Sequence, residues 1–365
     1  MLISCGLAVT IWAAAGVPLT RTSLDHPEPQ AGANFGSVFG IGDLNGDGVN
    51  EFVVSAINQD VGANIGQGRA YVFNGVDRSL LFTLDTPNPL PAAAFGDAVA
   101  NAGDVDHDGT PDLIIGAPNF TSDSTPSPGQ AFVFSGRTAA LRLVLDDPDP
   151  PSEHVSTNFG TAVEGVGDVD GDGYPDLLVG EGGFAGQAFL FSGIDGSLLR
   201  KFDNPLPAVV SQFGIAVAAL GDVNSNGVPD MAIGSGGRVF VFDGNGGLIR
   251  THANPSPGFF DTFGPTIAPL GDINHDGITD LVAGDFAGAP NFAGQVFLFS
   301  GADARLLKRF VGPGPHNEFD FFGGSLAGPG DLNGDGIPDL LIGADSKDVG
   351  ANVDQGRVYV YLSSH

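Results

Sequence analysis

The chain has 365 residues, 42 % of them hydrophobic, which is enough for one large core or two ordinary ones. Its 57 glycines and 26 prolines sit between short apolar runs, and no segment shows long 3.6-residue periodicity, which excludes a helical fold and marks an all-β chain. With 43 acidic against 14 basic residues, the net charge of −29 excludes attraction to nucleic acid or to anionic lipid by charge.

Residues 1–15 come first. Leu2 to Ala15 are apolar and end in Ala13-Ala14-Ala15-Gly16, like the core and cleavage site of a secretion signal, although no basic stretch precedes them. Gly6-Leu-Ala-Val-Thr-Ile-Trp also matches a strand phrase that recurs further on. Residues 1–15 therefore read either as a remnant of a signal or as a strand of a lost repeat. Cys5 is the one cysteine, so no disulfide can form within the chain. No later segment is long and apolar enough to be expected to span a membrane.

From residue 16 onward the chain is repetitive. Phe-Gly recurs at Phe35, Phe95, Phe159, Phe213, Phe263 and Phe322, at spacings of 50 to 64 residues. Each copy leads into an acidic, glycine-bearing loop and a short apolar run. A phrase like Gly-Gln-Ala-Phe-Val-Phe follows, starting at Gly68, Gly129, Gly186, Gly237, Gly294 and Gly356. A leucine-rich segment then runs into prolines, as in residues 80–89. Phrases recurring in one order predict four strands per repeat. They are the Phe-Gly run (95–100), the run after the loop (113–116), the Phe-rich phrase (129–134) and the leucine-rich segment (80–84). Such a four-stranded antiparallel unit is the blade of a β-propeller, and residues 16–365 are predicted to form a single propeller. A β-sandwich would give no reason for the self-similarity. Residues 18–29 match the fourth-strand phrase before any first strand, and the chain stops after a third. Six blades are expected, with the N-terminal strand closing the last and leaving no open sheet edge. A seven-bladed or truncated seven-bladed form is the alternative.

Between the first and second predicted strands stands Asp-x-[Asp/Asn]-x-[Asp/Asn]-Gly-x-x-[Asp/Glu], six times. Predicted metal ligands are the side chains at positions one, three, five and nine, with the main-chain carbonyl at seven. They are Asp43, Asn45, Asp47, Glu51 and Val49 in the first loop, and Asp104, Asp106, Asp108, Asp112 and Thr110 in the second. The third has Asp168, Asp170, Asp172, Asp176 and Tyr174. The fourth has Asp222, Asn224, Asn226, Asp230 and Val228. Asp272, Asn274, Asp276, Asp280 and Ile278 follow in the fifth, and Asp331, Asn333, Asp335, Asp339 and Ile337 in the sixth. The spacing suits Ca²⁺, a hard cation that takes six to eight oxygens at roughly 2.3–2.6 Å. Position twelve is Val54 in the first loop and Ile115 in the second, so these are not EF-hands, and the closing acid falls at nine instead. Asp-Gly and Asn-Gly are also ordinary turn residues, but six aligned copies with a closing acid exceed what a turn needs. Up to six ions are expected, one per repeat. The fourth loop, with two carboxylates, is expected to bind most weakly. His107 and His275 share position four and are expected to face solvent.

The stretch 95–118 reads Phe-Gly, then Gly-Asp-Val-Asp-His-Asp-Gly-Thr-Pro-Asp-Leu-Ile-Ile-Gly-Ala-Pro. It resembles the FG-GAP repeat of integrin α subunits and related bacterial surface proteins, and the likeness extends over residues 16–365. The resemblance implies a propeller with calcium loops on one rim, partners bound on the opposite face, and a role in adhesion or ligand recognition. Heads of that family have seven blades and only a few calcium loops, whereas every one of the six repeats here has one. No leg, membrane or partner-binding region is recognised in these residues, so receptor signalling is not expected of them. No His-Glu-x-x-His, Gly-x-Ser-x-Gly or Cys-x-x-Cys is present. The expectation is a non-catalytic, calcium-stabilised extracellular or cell-surface scaffold for a protein or glycan, with no nucleic-acid partner. It would be a monomer or a module of a larger surface protein. The alternatives are a propeller lyase or hydrolase acting on polysaccharide, and a purely architectural surface element.

Overall fold

Two kinds of apolar run build the strands. Second and third strands such as Asp112–Ala117 and Gln130–Phe134 are buried at almost every position, as strands covered on both faces must be. Fourth strands such as Leu141–Asp146 keep most positions exposed or half-buried and bury Leu145. The computed structural model describes residues 24–87, 90–119, 129–150, 157–183, 186–206, 212–257, 261–288, 292–312, 320–344 and 357–363. Among them are 23 strands and no α-helix.

The strands form six sheets in chain order, the six antiparallel blades of the predicted β-propeller fold. The first blade comprises Phe35–Gly42, Glu51–Ala56, Arg69–Phe73 and Leu80–Leu84. The sixth shows three strands, Phe322–Gly330, Asp339–Ala344 and Arg357–Tyr361. The expected closing strand at residues 18–29 lies partly outside the described residues, and residues 24–29 belong to no strand. Residues 1–15 lie wholly outside them. The chain divides within the first strand of blade four, after Ala219, into two compact units.

The core lies between neighbouring blades of each unit. In the first unit, Val53 and Val72 of blade one pack with Phe95, Leu113 and Phe132 of blade two. Ile114 and Val133 then meet Phe159, Leu177 and Phe189 of blade three. In the second unit, Val282 and Val296 of blade five meet Phe322, Leu340 and Ile342 of blade six.

The Phe-Gly pair anchors these contacts. Phe95, Phe159 and Phe263 are fully buried, with ring centroids 5.8, 5.8 and 5.9 Å from Phe132, Phe189 and Phe297 of their own third strands. The glycine that follows is left-handed, with φ +89° at Gly160, and a Cβ there would collide with the carbonyl oxygen of Gln130 in the preceding blade. A residue in that conformation interrupts a ladder. In blades three, five and six the first strand runs across this glycine with a shift of register, whereas in blades two and four pairing begins only after it, at Val99–Gly103 and Ala216–Gly221. The prediction of a strand from Phe95 is corrected: residues 95–98 form the turn before it.

Candidate metal centres

Each acidic loop is the hairpin between the first and second strands of its blade. The last glycine of the first strand pairs with the position-nine acid that opens the second. The pairs are Gly42 with Glu51, Gly103 with Asp112, Gly167 with Asp176, Gly271 with Asp280, and Gly330 with Asp339. Positions four and six are left-handed in all six loops. Position six is glycine each time, with φ between +86° at Gly336 and +94° at Gly173. Position four admits His107, Ser225 and His275, at a backbone cost of roughly 1–2 kcal/mol.

The side chains are organised by main-chain donors. In the second loop Asp104 accepts the amides of Asp108 (3.0 Å) and Gly109 (2.9 Å), Asp106 that of Asp108 (3.1 Å), and Asp108 that of Thr110 (2.9 Å). Asp112 accepts Val105 N on Oδ2 and Gly136 N on Oδ1, both at 3.0 Å. The third loop repeats the pattern. There Asp168 accepts Gly171 N (2.7 Å) and Gly173 N (2.9 Å), Asp170 accepts Asp172 N (3.0 Å), and Asp172 accepts Tyr174 N (2.8 Å). The position-nine acids Glu51, Asp112, Asp176, Asp230, Asp280 and Asp339 are all buried, at 0–1 % exposure. These bonds tie the side chains at positions one, three and five to the main chain of their own loop.

Three loops draw three carboxylates close together. Asp43, Asp47 and Glu51 each offer an oxygen within 4.8 Å of the others, as do Asp104, Asp106 and Asp108, and Asp168, Asp170 and Asp176. All three groups belong to the first unit. Burial, with the neighbouring loop acids acting in the same direction, pushes Asp112 and Asp176 up to about 6 against opposing main-chain hydrogen bonds. Burial likewise raises Asp280. At position one the effect reverses: main-chain amides, that of the position-six glycine foremost, lower Asp43, Asp222 and Asp331.

This donor set fits a hard divalent cation. It consists of carboxylate and amide oxygens, with no thiolate or imidazole among the predicted ligands. A carboxylate oxygen that accepts one amide bond keeps a lone pair for an ion.

Other contacts at the loops were not foreseen. His107 is exposed, yet its ring stacks on Tyr174 of the third loop at 3.8 Å and 7°, and Nε2 lies 3.0 Å from the Gly173 carbonyl. It faces solvent, as expected, and in addition joins two loops. Arg137 donates to the Asp108 carbonyl at 2.9 Å, and Arg142 lies 3.4 Å from Asp106. Asp243, outside the motif, accepts hydrogen bonds from both asparagines of the fourth loop. No local phrase marks these partners, because each comes from a strand end or a neighbouring blade.

Comparison with known proteins bears on the repeat. The FG-GAP repeat family matches at residues 95–134, 159–191 and 322–361. Integrin alpha-PS5 of Drosophila melanogaster is 33 % identical over 181 residues, covering 47 % of this chain and 17 % of its own length. Integrin alpha-5 of Xenopus laevis is 29 % identical over 220 residues, covering 56 % and 20 % respectively. The human integrin alpha-IIb is 32 % identical over 164 residues, covering 41 % and 15 %. This chain therefore matches a fifth or less of those relatives. A solved structure of BBS1N in complex with ARL6DN superposes with a TM-score of 0.54 at 11 % identity, over 88 % of this chain and 79 % of that one, which is a likeness of fold.

Proposed function

Because the chain carries FG-GAP repeats of the kind found in integrin α chains, we propose that it is a calcium-stabilised, non-catalytic binding scaffold. Its setting would be extracellular or at the cell surface, and its partner a protein or a glycan. The observation that carries this reading is the repeated loop. Six hairpins share left-handed backbone at positions four and six, and an acid, Glu51 in the first and an aspartate in the rest, opens the second strand behind each. In the first loop Asp43, Asn45, Asp47 and Glu51 would hold the ion with the Val49 carbonyl, and the corresponding residues would do so in the other five.

Calcium supplies positive charge where 19 of the chain's 43 acids are gathered. Its role is structural in this reading. At about 1 mM free calcium and a Kd near 10⁻⁴ M, each site stabilises the fold by about 1.4 kcal/mol. Six sites would add about 8 kcal/mol, comparable to the whole stability of an ordinary domain. Such affinities are useful where calcium is millimolar, which favours a place outside the cytoplasm.

The test is a thermal melt in 2 mM calcium and again in excess EGTA, with calorimetric stoichiometry. The expected result is a Tm higher in calcium by on the order of 10 °C, with five or six ions bound. An unchanged Tm would remove the calcium role and the extracellular reading together. New reducing ends or unsaturated products from a panel of polysaccharides would overturn the non-catalytic part.

A further inference from the structure

The fourth loop has carboxylates only at Asp222 and Asp230, with Asn224 and Asn226 between them. The fold brings up a third. Asp243 directly follows the third strand of blade four, Arg238–Phe242, and its Oδ2 accepts hydrogen bonds from Asn226 Nδ2 at 2.7 Å and Asn224 Nδ2 at 2.9 Å. In blade five the same place, after Gln295–Phe299, is Ser300, and its hydroxyl donates to Oδ2 of Asp276 at 3.2 Å. The two blades make one contact with acid and donor exchanged. Blade five keeps the acid in the loop and the donor at the strand end, and blade four does the reverse.

The exchange leaves the inner oxygen unchanged. Asn226 Oδ1 accepts Val228 N at 2.8 Å, just as Asp276 Oδ1 accepts Ile278 N at 3.0 Å. The charge also balances, since Asp222, Asp230 and Asp243 stand against Asp272, Asp276 and Asp280. Blades one to three follow the rule: Asn74, Ser135 and Ser192 sit after the third strand, and position five is Asp47, Asp108 and Asp172. Only the blade without an acid at position five has one at the strand end.

The geometry points to Asp243 as part of the fourth cation site, restoring through the Asn226 amide the negative charge that Asn226 lacks; this rests on the calcium reading above. A carboxylate that accepts the amide N–H polarises the group and makes its oxygen a better donor to a cation. Its own charge also attracts the ion. The fourth loop therefore holds a cation about as well as the fifth, contrary to what its two loop carboxylates suggest.

Calcium titrated calorimetrically into chelator-treated full-length chain tests this, using wild type, D222A, D243S and N226D/D243S, each checked for fold by circular dichroism. D222A removes the leading ligand and defines the loss of one site. D243S is expected to weaken one site by about 10–100-fold, the usual effect of removing a residue that orients a ligand. N226D/D243S, which copies blade five, is expected to recover it. D243S titrating like wild type, or a double variant as weak as D243S, would overturn the assignment while the other loops still bind. A wild-type chain that takes up no calcium would overturn the calcium reading itself, and this assignment with it.

Discussion

Glu181 ends the second strand of blade three, at a place where blades one, two and six carry Ala56, Ala117 and Ala344. It is 4 % exposed, and its Oε2 is buried without a hydrogen-bond partner. Burial first, and the nearby Asp147 charge second, push its carboxyl up from 4.5 to about 8, with Lys201 opposing. Because the folded pKa lies above the unfolded one, the contribution to stability is complete below pH 4.5 and is lost as the pH rises through about 8. Unfolding in urea at fixed calcium should show wild type losing stability between pH 5 and pH 8 relative to Glu181→Gln. The difference between the two curves should reach about 2–4 kcal/mol. Parallel curves would mean that Glu181 is not the buried acid the geometry makes it.

At the scale of the element, the hairpin and the seam between blades use glycine for different reasons, and two substitutions separate them. A Cβ on Gly173, at position six of the third loop, would meet nothing within 4 Å, so Gly173→Ala incurs the left-handed backbone alone, roughly 1–2 kcal/mol. On Gly160 the Cβ would also meet the Gln130 carbonyl, so Gly160→Ala should cost about 2–4 kcal/mol. Denaturation in saturating calcium gives both values, and equal losses would refute the close approach at the seam. Much of this level was legible in the sequence. The alternation of loop, buried run and Phe-rich phrase placed every second and third strand, and the closing acid was expected where a strand begins. The start of the first strand in blades two and four was not legible, since Phe95-Gly96 and Phe213-Gly214 look the same whether or not pairing continues across the left-handed glycine. Asp243 was missed because it lies 13 residues beyond its loop's closing acid and meets the loop only through folding. The stacking of the exposed His107 was not legible because its partner, Tyr174, comes from the next blade.

Over the whole molecule, a net charge of −29 concentrated in hairpin loops is a source of self-repulsion that salt and calcium relieve by different routes. Raising ionic strength from about 0.05 M to 0.5 M shortens the screening length to a few ångströms and weakens repulsion between exposed acids. In EGTA, added NaCl should therefore raise Tm, and in millimolar calcium the same addition should raise it less. A salt response that calcium does not diminish would place the repulsion outside the loops. The seams have a further consequence. At Gly160 the blades meet through a left-handed glycine pressed against a neighbour's main-chain oxygen, and at Gly284 a Cβ would strike the carbonyl oxygen of Gly323. Each repeat carries both halves of such a joint, the glycine and the main-chain oxygen it meets, together with the phenylalanine packed across the seam. A tandem duplication of one repeat in the gene would then deliver a unit already able to join its neighbours, and its loop could diverge later without reopening the joint.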